Sequence, residues 1–508
     1  MQGTSDPNRE LLDAAALCGH LVAAGSVHAF LAEHRGRLFP DEMFADLFGS
    51  GRGRPSVPAD VIATVMVLQS LEGLSDRDAI GQLRTNIAWK IAAGVSLADE
   101  GFHPTVLTLW RNRLRESEHP ERIFDAVRAV VAETGVLAGK TRRALDSTVL
   151  DDAVVRQDAI MQFVAQIRRV RRVIPAAKAL TLTAHDYDND PGKPLCAWDD
   201  RVAIDAVVTA LVHDARTVLD ALDGADLDDR QAEAVGLLAL VAGQDVEPGD
   251  QDGTWRIAKR TASDRIVSVV DPESRHVHKT VHNYRDGFKA HLAVEPDTGI
   301  VTACDLTAGN VGDGQAAAWL LAVETEPLEV LGDSAYGTGK FRAFLAGADH
   351  VAQIKPPPLS RAIEGGFTID DFEIDLAART ATCPADVTVT ISAKRHAVFG
   401  VQCNGCVLRD RCTRAVNGKK LKIHEHHELL AAARRHAQTD EFIENYRQHR
   451  PMVERTIAWL VRRHRKVRFR GIARNRIGFA HRCAAVNLRR LLNLGLDHDG
   501  ERWIIATT

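Results

Sequence analysis

The spacing of apolar residues predicts helices over residues 1 to about 140. The segment VPADVIATVMVLQSLEGL carries an apolar stripe at helical intervals, and Pro58 suits its first turn. Ser75 is a candidate N-cap for a second helix, and HPTVLTLWRNRLRE predicts a third helix from about Thr105. Two helices joined by a short turn and followed by a basic helix are compatible with a helix-turn-helix unit. We therefore predict a helical N-terminal DNA-binding domain.

Residues 141–355 show strand patterns with a helical interruption. The apolar run TRRALDSTVL predicts a strand, whereas residues from about 153 to 262 have helical periodicity. Strand patterns resume in GFKAHLAVEP and GIVTACDLTAG, which Asp297 and Gly299 join as a hairpin. A helix and a further short strand, LEVLG, follow. The pattern predicts an α/β domain that contains a helical insertion.

Four cysteines mark the next stretch, residues 356–440, with the spacing C-x19-C-x2-C-x5-C. Thiolates that are close in sequence, together with one from a distant strand, suit a tetrahedral zinc site. Unligated structural thiols are the alternative. We predict a small Cys-rich insertion here, followed by a helical and basic region over residues 441–508. The candidate zinc ligands are Cys383, Cys403, Cys406 and Cys412.

The composition is that of a soluble globular protein. The chain has 508 residues, 45% of them hydrophobic and 26% charged, with a formal net charge of −4. This length suggests about two to four domains. No apolar run approaches the roughly 20 residues that a membrane span requires, and the N-terminus lacks the features of a signal peptide. Eight cysteines in so long a chain do not indicate a disulfide scaffold, so we expect a cytoplasmic protein.

The near-neutral net charge conceals a basic block close to the C-terminus. From Arg447 to Arg490 there are fourteen Arg or Lys residues and a single acid, Glu454. Apolar residues interrupt the block, so we expect it to be folded and to face a phosphate-rich partner, with nucleic acid first. A solvated helix face is the alternative. The candidate DNA-binding residues of the block are Arg450, Arg462, Arg463, Arg465, Lys466 and Arg468.

Two further basic clusters lie near the N-terminus. The segment GRGRP, which contains Arg52 and Arg54, resembles the core of an AT-hook, and a flexible loop is the alternative. The predicted third helix is expected to expose Arg111 and Arg113, which makes them candidates for reading a DNA groove.

Three acidic residues are candidates for chemistry. Asp146 and Asp333 each lie at the end of an apolar strand, and strands that reach one edge of a sheet can bring two such carboxylates together. Hard oxygen ligands of this kind suit magnesium or manganese. Glu454 is the only acid of the basic block, and a salt-bridge partner for Arg450 is one interpretation of it. The other is a metal ligand, because an exposed acid among phosphate-binding cations would otherwise repel the substrate. Each aspartate as a simple turn or helix cap is the alternative.

Taken in order, several segments resemble the DDE transposases of bacterial insertion sequences, which have a ribonuclease H-like core. The segments are RPSVPADVIATVMVLQSLEGLSDRDAIGQLRTNIAWK, LDSTVL, HKTVHNYRDGFKAHLAVEPDTGIVTACDLTAGNVGDG, LGDSAYG, CNGCVLRDRC and YRQHRPMVERTIAWL. The resemblance implies that Asp146, Asp333 and Glu454 bind two Mg²⁺ or Mn²⁺ ions. It also implies strand cleavage and 3′-hydroxyl strand transfer at terminal inverted repeats, and a homodimer or larger assembly on double-stranded DNA.

The chain departs from the family pattern around the glutamate. Many relatives have Tyr-x2-Arg-x3-Glu-x6-Lys, whereas here Tyr446 lies one residue early and Val461 stands at the lysine position. Arg450 and Glu454 fit, and Arg462 is adjacent to the missing lysine. Two other functions stay open: a decayed or domesticated relative that only binds DNA, and a ribonuclease H-like nuclease that cuts without joining.

Overall fold

The computed structural model describes residues 1–5, 12–49, 53–260, 262–280, 283–462 and 465–506. In this part of the chain a six-stranded mixed sheet is flanked by helices, which confirms the predicted α/β class. Within the same ranges, none of the helices has both the length and the apolar character that crossing a membrane demands.

The N-terminal region is helical, as its periodicity predicts. The Ser75 side chain accepts a hydrogen bond from the N–H of Asp78 at 3.1 Å and caps the second predicted helix. The third predicted helix begins at Thr105. The helices are α1 (Ala14–Cys18), α2 (Val27–Leu38), α3 (Ala59–Glu72), α4 (Asp76–Thr85), α5 (Ile87–Ala93), α6 (Thr105–Glu116) and α7 (Arg122–Glu133), with 3₁₀ turns at Gly19–Leu21 and Asp41–Leu47.

The first strand of the sheet, β1 (Arg142–Asp151), is followed by the segment with helical periodicity. This segment packs around a hydrophobic cluster of its own, separate from the cluster shared by the N-terminal helices and the sheet. It therefore lies outside the sheet and lets the chain return to pair with β1. Its elements are α8 (Ala159–Val173), α9 (Pro175–Lys178), α10 (Arg201–Ala221), α11 (Asp229–Gln244), β2 (Val246–Pro248) and β3 (Trp255–Ile257).

The sheet is completed by β4 (Arg275–Thr280), β5 (Asn283–Val294), β6 (Val301–Ala308), β7 (Glu329–Gly332) and β8 (Val351–Ile354). Strand β5 pairs antiparallel with β1, β4 and β6, whereas β1, β7 and β8 are parallel neighbours. The predicted hairpin joins β5 to β6, and Gly299 adopts the positive φ of +72° that its turn requires. Helices α12 (Asp313–Leu321) and α13 (Gly339–Gly347) supply the crossover connections.

The Cys-rich region forms short strands around a small core that includes Phe372 and Phe399. Its elements are β9 (Glu373–Asp375), β10 (Thr380–Thr382), β11 (Thr388–Thr390), β12 (His396–Val398), α14 (Arg409–Cys412) and β13 (Lys420–Lys422), with 3₁₀ turns at Ile369–Asp371 and Gly400–Cys403.

The C-terminal region returns to the sheet through helices. The long helix α18 packs against α3, α6 and α7 on one side and against β6 on the other, so it joins the N-terminal helices to the sheet. The elements are α15 (His427–His436), α16 (Asp440–His449), α17 (Pro451–Val461), α18 (Ile472–Asn493), β14 (Leu496–His498) and β15 (Trp503–Ile505).

Candidate active site

The register of the sheet places Asp146 level with Asp333. Strands β1 and β7 pair in parallel from Arg142 with Glu329 to Ala144 with Leu331, a constant offset of 187 positions (329 − 142 = 187). The same offset separates Asp146 from Asp333, two positions past the last pair. Continuing this register past the end of β7 brings the two aspartates close together, since neighbouring strands lie about 4.8 Å apart, and the charge of Asp333 does act on Asp146.

The electrostatics of Asp146 reflect this neighbourhood. Burial raises the pKa of Asp146, and the negative charge of Asp333 raises it further. Arg450 opposes both effects through its charge and a direct bond, and the Ser147 N–H donates to the Asp146 carboxylate at 2.8 Å. The net shift of the Asp146 pKa is upward, so burial and the neighbouring charge outweigh the stabilisation that Arg450 and Ser147 give to its carboxylate.

Arg450 brings the third acid to the site. Its Nη2 atom lies 3.1 Å from Oδ2 of Asp146, and its Nη1 atom lies 3.6 Å from Oε1 of Glu454. The Arg450 side chain is 3% exposed, whereas that of Glu454 is 62% exposed. Pro451 begins α17 directly after Arg450 and places Glu454 in its first turn. The buried guanidinium of Arg450 thus lies between Asp146 and Glu454.

The donor chemistry of the three acids fits a divalent cation. Mg²⁺ and Mn²⁺ favour carboxylate oxygens, and the site offers three carboxylates with a guanidinium between two of them. The Nε and Nη1 atoms of Arg450 are buried and find no hydrogen-bond acceptor among the described residues. Across the same residues no three Asp, Glu, His or Cys side chains form a ready coordination group. In the described structure, the Arg450 guanidinium is the positive charge that lies next to Asp146 and Glu454.

A polar network lies on the opposite face of β1. The Ser147 hydroxyl donates to Asp313 Oδ1 at 2.7 Å, and Nζ of Lys289 lies 3.3 Å from the same oxygen. His291 is fully buried 3.8 Å from Asp313, and burial lowers its pKa to about 4, so its imidazole is neutral at pH 7. Sequence reasoning missed Asp313, although glycines flank it in GNVGDG. The hydrogen bond from Ser147 thus anchors β1 on the face opposite the Asp146 side chain, one residue after it.

The four cysteines of the Cys-rich region meet at one place. All four line a small cavity of about 30 Å³, and the structure shows them as free thiols. The Lys419 N–H donates to Sγ of Cys403 at 3.4 Å. Burial raises the pKa of Cys412, Lys419 opposes this, and the other three cysteines raise it further. Cys383, which is distant in sequence, thus lies at the same cavity as Cys403, Cys406 and Cys412.

The N-terminal arginines have different surroundings. The expected exposure of Arg111 is wrong: its side chain is buried, and its two Nη atoms donate to Asp76 at 2.8 and 2.6 Å. This pair ties α6 to α4. Arg113 is exposed and stacks over the Phe48 ring at 4.7 Å, and Arg54 is exposed. Arg52 lies outside the described residues.

The basic block follows the sheet beyond Asp146. The N–H of Asp151, the last residue of β1, donates to the Arg465 carbonyl, and the Val467 N–H donates to the Asp151 carbonyl, both at 2.8 Å. Lys466 between them is exposed, and so is Arg462. The guanidinium of Arg468 instead donates to the carbonyls of Gly73 and Leu74 at the end of α3, so it contacts the N-terminal helices. Arg463 lies outside the described residues.

The departures from the family pattern have structural causes. Val461 is buried and belongs to the hydrophobic cluster between helices and sheet, so its position has no room for a charged side chain. Tyr446 lies on α16, one turn before Arg450, and its pKa is raised by burial and by the charges of Asp333 and Glu454, with Arg450 opposing.

Comparison with protein families assigns two parts of the chain. Residues 29–113, from α2 to α6, match the model described as "Transposase domain (DUF772)". Residues 382–492, which include the four cysteines and Glu454, match "Transposase DDE domain". No curated protein and no solved structure matches the chain. The two family matches confirm the resemblance to DDE transposases of insertion sequences that is seen in the sequence.

Proposed function

We propose that this transposase cleaves DNA strands and transfers their 3′-hydroxyl ends at the terminal inverted repeats of an insertion sequence. The observation that carries the proposal is the shared register of Asp146 and Asp333, with Arg450 linking Asp146 to Glu454. The six-stranded mixed sheet flanked by helices supports a ribonuclease H-like core for this site. Asp146, Asp333 and Glu454 are the proposed catalytic and metal-binding residues.

The chain's own residues prepare the site for a metal and a phosphodiester. When bound, divalent cations supply activation of water or a 3′-hydroxyl and stabilisation of the leaving oxygen. Arg450 offsets the charge of Asp146, because a buried carboxylate beside a second carboxylate is otherwise unfavourable. Asp146, Asp333 and Glu454 would hold the cation, and the Arg450 guanidinium would be available as a donor to a DNA phosphate.

DNA is held by two regions in this proposal. The N-terminal helices recognise the inverted repeats, with Arg54 and Arg113 as exposed candidates. The exposed Arg462 and Lys466, with Arg465, follow the backbone next to the end of β1. The protein acts as a homodimer or larger assembly on DNA, and in the cytoplasm, where bacterial DNA lies.

A strand-transfer assay tests the proposal. The substrate is a short duplex that carries the inverted repeat flanking the gene, incubated with Mg²⁺ and a target plasmid. Cleavage followed by joining to the plasmid is the expected result. Cleavage without joining would show a nuclease, and binding without cleavage would show a decayed relative. A duplex with a scrambled repeat is the control.

We also propose that the four cysteines hold a structural zinc ion. Cys383, Cys403, Cys406 and Cys412 line one cavity. Burial, and to a smaller extent the other three cysteines, raises the pKa of Cys412, and a cation bound by the thiolates would counter both effects. Among the described residues the thiols do not form a ready coordination group, so they would have to lie closer together to hold zinc. Zinc here stabilises the Cys-rich region and takes no part in cleavage.

A further inference from the structure

A lysine continues the row of the two aspartates across the sheet. Strands β7 and β8 pair in parallel from Glu329 with Val351 to Gly332 with Ile354, an offset of 22 positions (351 − 329 = 22). The same offset leads from Asp333 to Lys355, which are the residues directly after the two strands. Continuing the register therefore brings Lys355 level with Asp333, and Asp333 level with Asp146 of β1.

The backbone around Lys355 is fixed. Its N–H donates to the Gly332 carbonyl at 3.1 Å, directly before Asp333. A Cβ added at Gly337 would lie 2.5 Å from the Lys355 carbonyl oxygen and 2.8 Å from Cδ of Pro357, so the two chain segments are in close contact. The three prolines that follow Lys355 restrict the chain further. The position of Lys355 relative to Asp333 is thus built into the fold.

The ammonium group of Lys355 has a defined place but no acidic partner among the residues that the structure describes. Its Nζ atom lies 4.4 Å from the centre of the Tyr446 ring, on the helix that leads to Arg450. The side chain is exposed and forms no ion pair with any described residue. A cation held over an aromatic ring, without a carboxylate to neutralise it, is available to an anionic ligand.

We propose that Lys355 is a substrate-binding residue of the active site, whose ammonium binds a non-bridging phosphate oxygen of the DNA strand that is cut. Tyr446 holds the ammonium in place through its ring. Lys355 thereby supplies from β8 a cation that α17 does not supply at the buried Val461. The inference rests on the proposed cleavage activity, and it adds a contact that fixes the DNA strand beside the aspartates.

The test compares Lys355→Gln with Lys355→Arg and with the control Lys178→Gln. Lys178 is an exposed lysine of the helical insertion, whose hydrophobic cluster is separate from that of the sheet. Single-turnover cleavage is measured on duplexes in which one phosphate at a time near the cut is replaced by a neutral methylphosphonate. Thermal unfolding is recorded for each variant.

Wild-type protein is expected to lose about tenfold in rate at one methylphosphonate position, the size of one charge-assisted hydrogen bond. Lys355→Gln should cleave normal DNA about tenfold more slowly and lose nothing more at that position, while Lys355→Arg and Lys178→Gln stay near wild type. A wild-type cleavage rate for Lys355→Gln would overturn the inference. A further loss of cleavage rate in Lys355→Gln that is equal at every methylphosphonate position would also overturn it. If wild-type protein cleaves nothing, the proposed function itself fails.

Discussion

Arg450 is the residue that links two of the three acids, Asp146 and Glu454, in this structure. It is buried, binds Asp146 directly and reaches Glu454 at 3.6 Å. A buried guanidinium with two nitrogen atoms lacking acceptors among the described residues is costly, and such costs are common where a ligand must later bind. Removal of Asp146 or Glu454 therefore changes the charge around Arg450 as well as the chemistry of the site. The three acids are consequently not equivalent in their effect on the free energy of unfolding.

We predict that Asp146→Asn, Asp333→Asn and Glu454→Gln each abolish Mg²⁺-dependent cleavage, because each removes a metal-binding charge at nearly constant shape. Asp146→Asn should also lower the free energy of unfolding by about 1–3 kcal/mol, since it leaves the Arg450 charge without its closest partner. Glu454→Gln should change stability by less than about 0.5 kcal/mol, because Glu454 is exposed. Cleavage assays and urea unfolding check both parts, and substantial cleavage by any variant would remove that residue from the site.

A second residue-scale prediction follows from the buried Arg111. Arg111→Ala should destabilise the N-terminal helices by about 2–3 kcal/mol, since it leaves Asp76 without a bidentate partner. Arg113→Ala serves as the matched control on the same helix and should leave stability within about 0.5 kcal/mol.

The Arg111 pair also predicts a pH dependence. Burial raises the pKa of Asp76, but the two bonds from Arg111 outweigh it and the pKa is lowered. A lowered pKa in the folded state means that the stabilisation is present above the unfolded pKa of about 4 and is lost as pH falls below it. Chemical unfolding at pH 7 and pH 3 measures the difference. Equal stability of Arg111→Ala and wild type at pH 7 would contradict the role of the pair.

At the scale of elements, the sequence pattern was sufficient to predict those features that depend on residues close together in the chain. The hairpin between β5 and β6 follows from Asp297 and Gly299 with alternating strands beside them, and the helix at Thr105 follows from its periodicity. The strand ends at Asp333 were likewise visible. Each of these features depends on residues that are neighbours in sequence, so the local pattern of residues is enough to predict it.

Contacts across long separations were not predictable in the same way. Arg111 and Asp76 are 35 positions apart, and nothing between them indicates that α6 and α4 pack with these side chains facing. The row from Asp146 to Lys355 depends on the offsets of 187 and 22 positions, which packing of the intervening helices determines. The sequence suggested that the aspartates meet but not that a lysine stands beside them.

The Cys-rich region carries the element-scale prediction. Purified protein should contain about one zinc per chain, and Cys406→Ser should lose it and unfold this region at a lower temperature. Cys196→Ser, at a cysteine outside this region, is the control and should retain the metal. Zinc-free protein with a fully folded Cys-rich region would leave the four thiols structural only.

At the scale of the whole molecule, the N-terminal helices and the sheet share one hydrophobic cluster. Helix α18 lies between them, and Arg468 adds hydrogen bonds from the basic block to the end of α3. In the proposed function, a DNA end bound by the N-terminal helices would therefore be held in a fixed relation to Asp146. The two regions of the described structure share this packing and are not joined by a flexible linker alone.

This arrangement predicts two different classes of arginine and lysine variants in the basic block. Arg462→Ala and Lys466→Ala remove exposed cations, so each should weaken binding to any DNA sequence and reduce the salt slope of log K by about one unit. Arg468→Ala removes a contact between protein regions, so it should lower the unfolding temperature while leaving the salt slope close to that of wild type.

The measurement is a titration of fluorescent duplexes, specific and random, at several salt concentrations for each variant. Lys178→Gln again provides a lysine on the separate helical insertion and should change neither affinity nor slope. Unchanged affinity and slope in both Arg462→Ala and Lys466→Ala would mean that the block is a solvated surface. The case for Glu454 would then rest on Arg450 and on the family match alone, because its place among phosphate-binding cations would no longer require a metal.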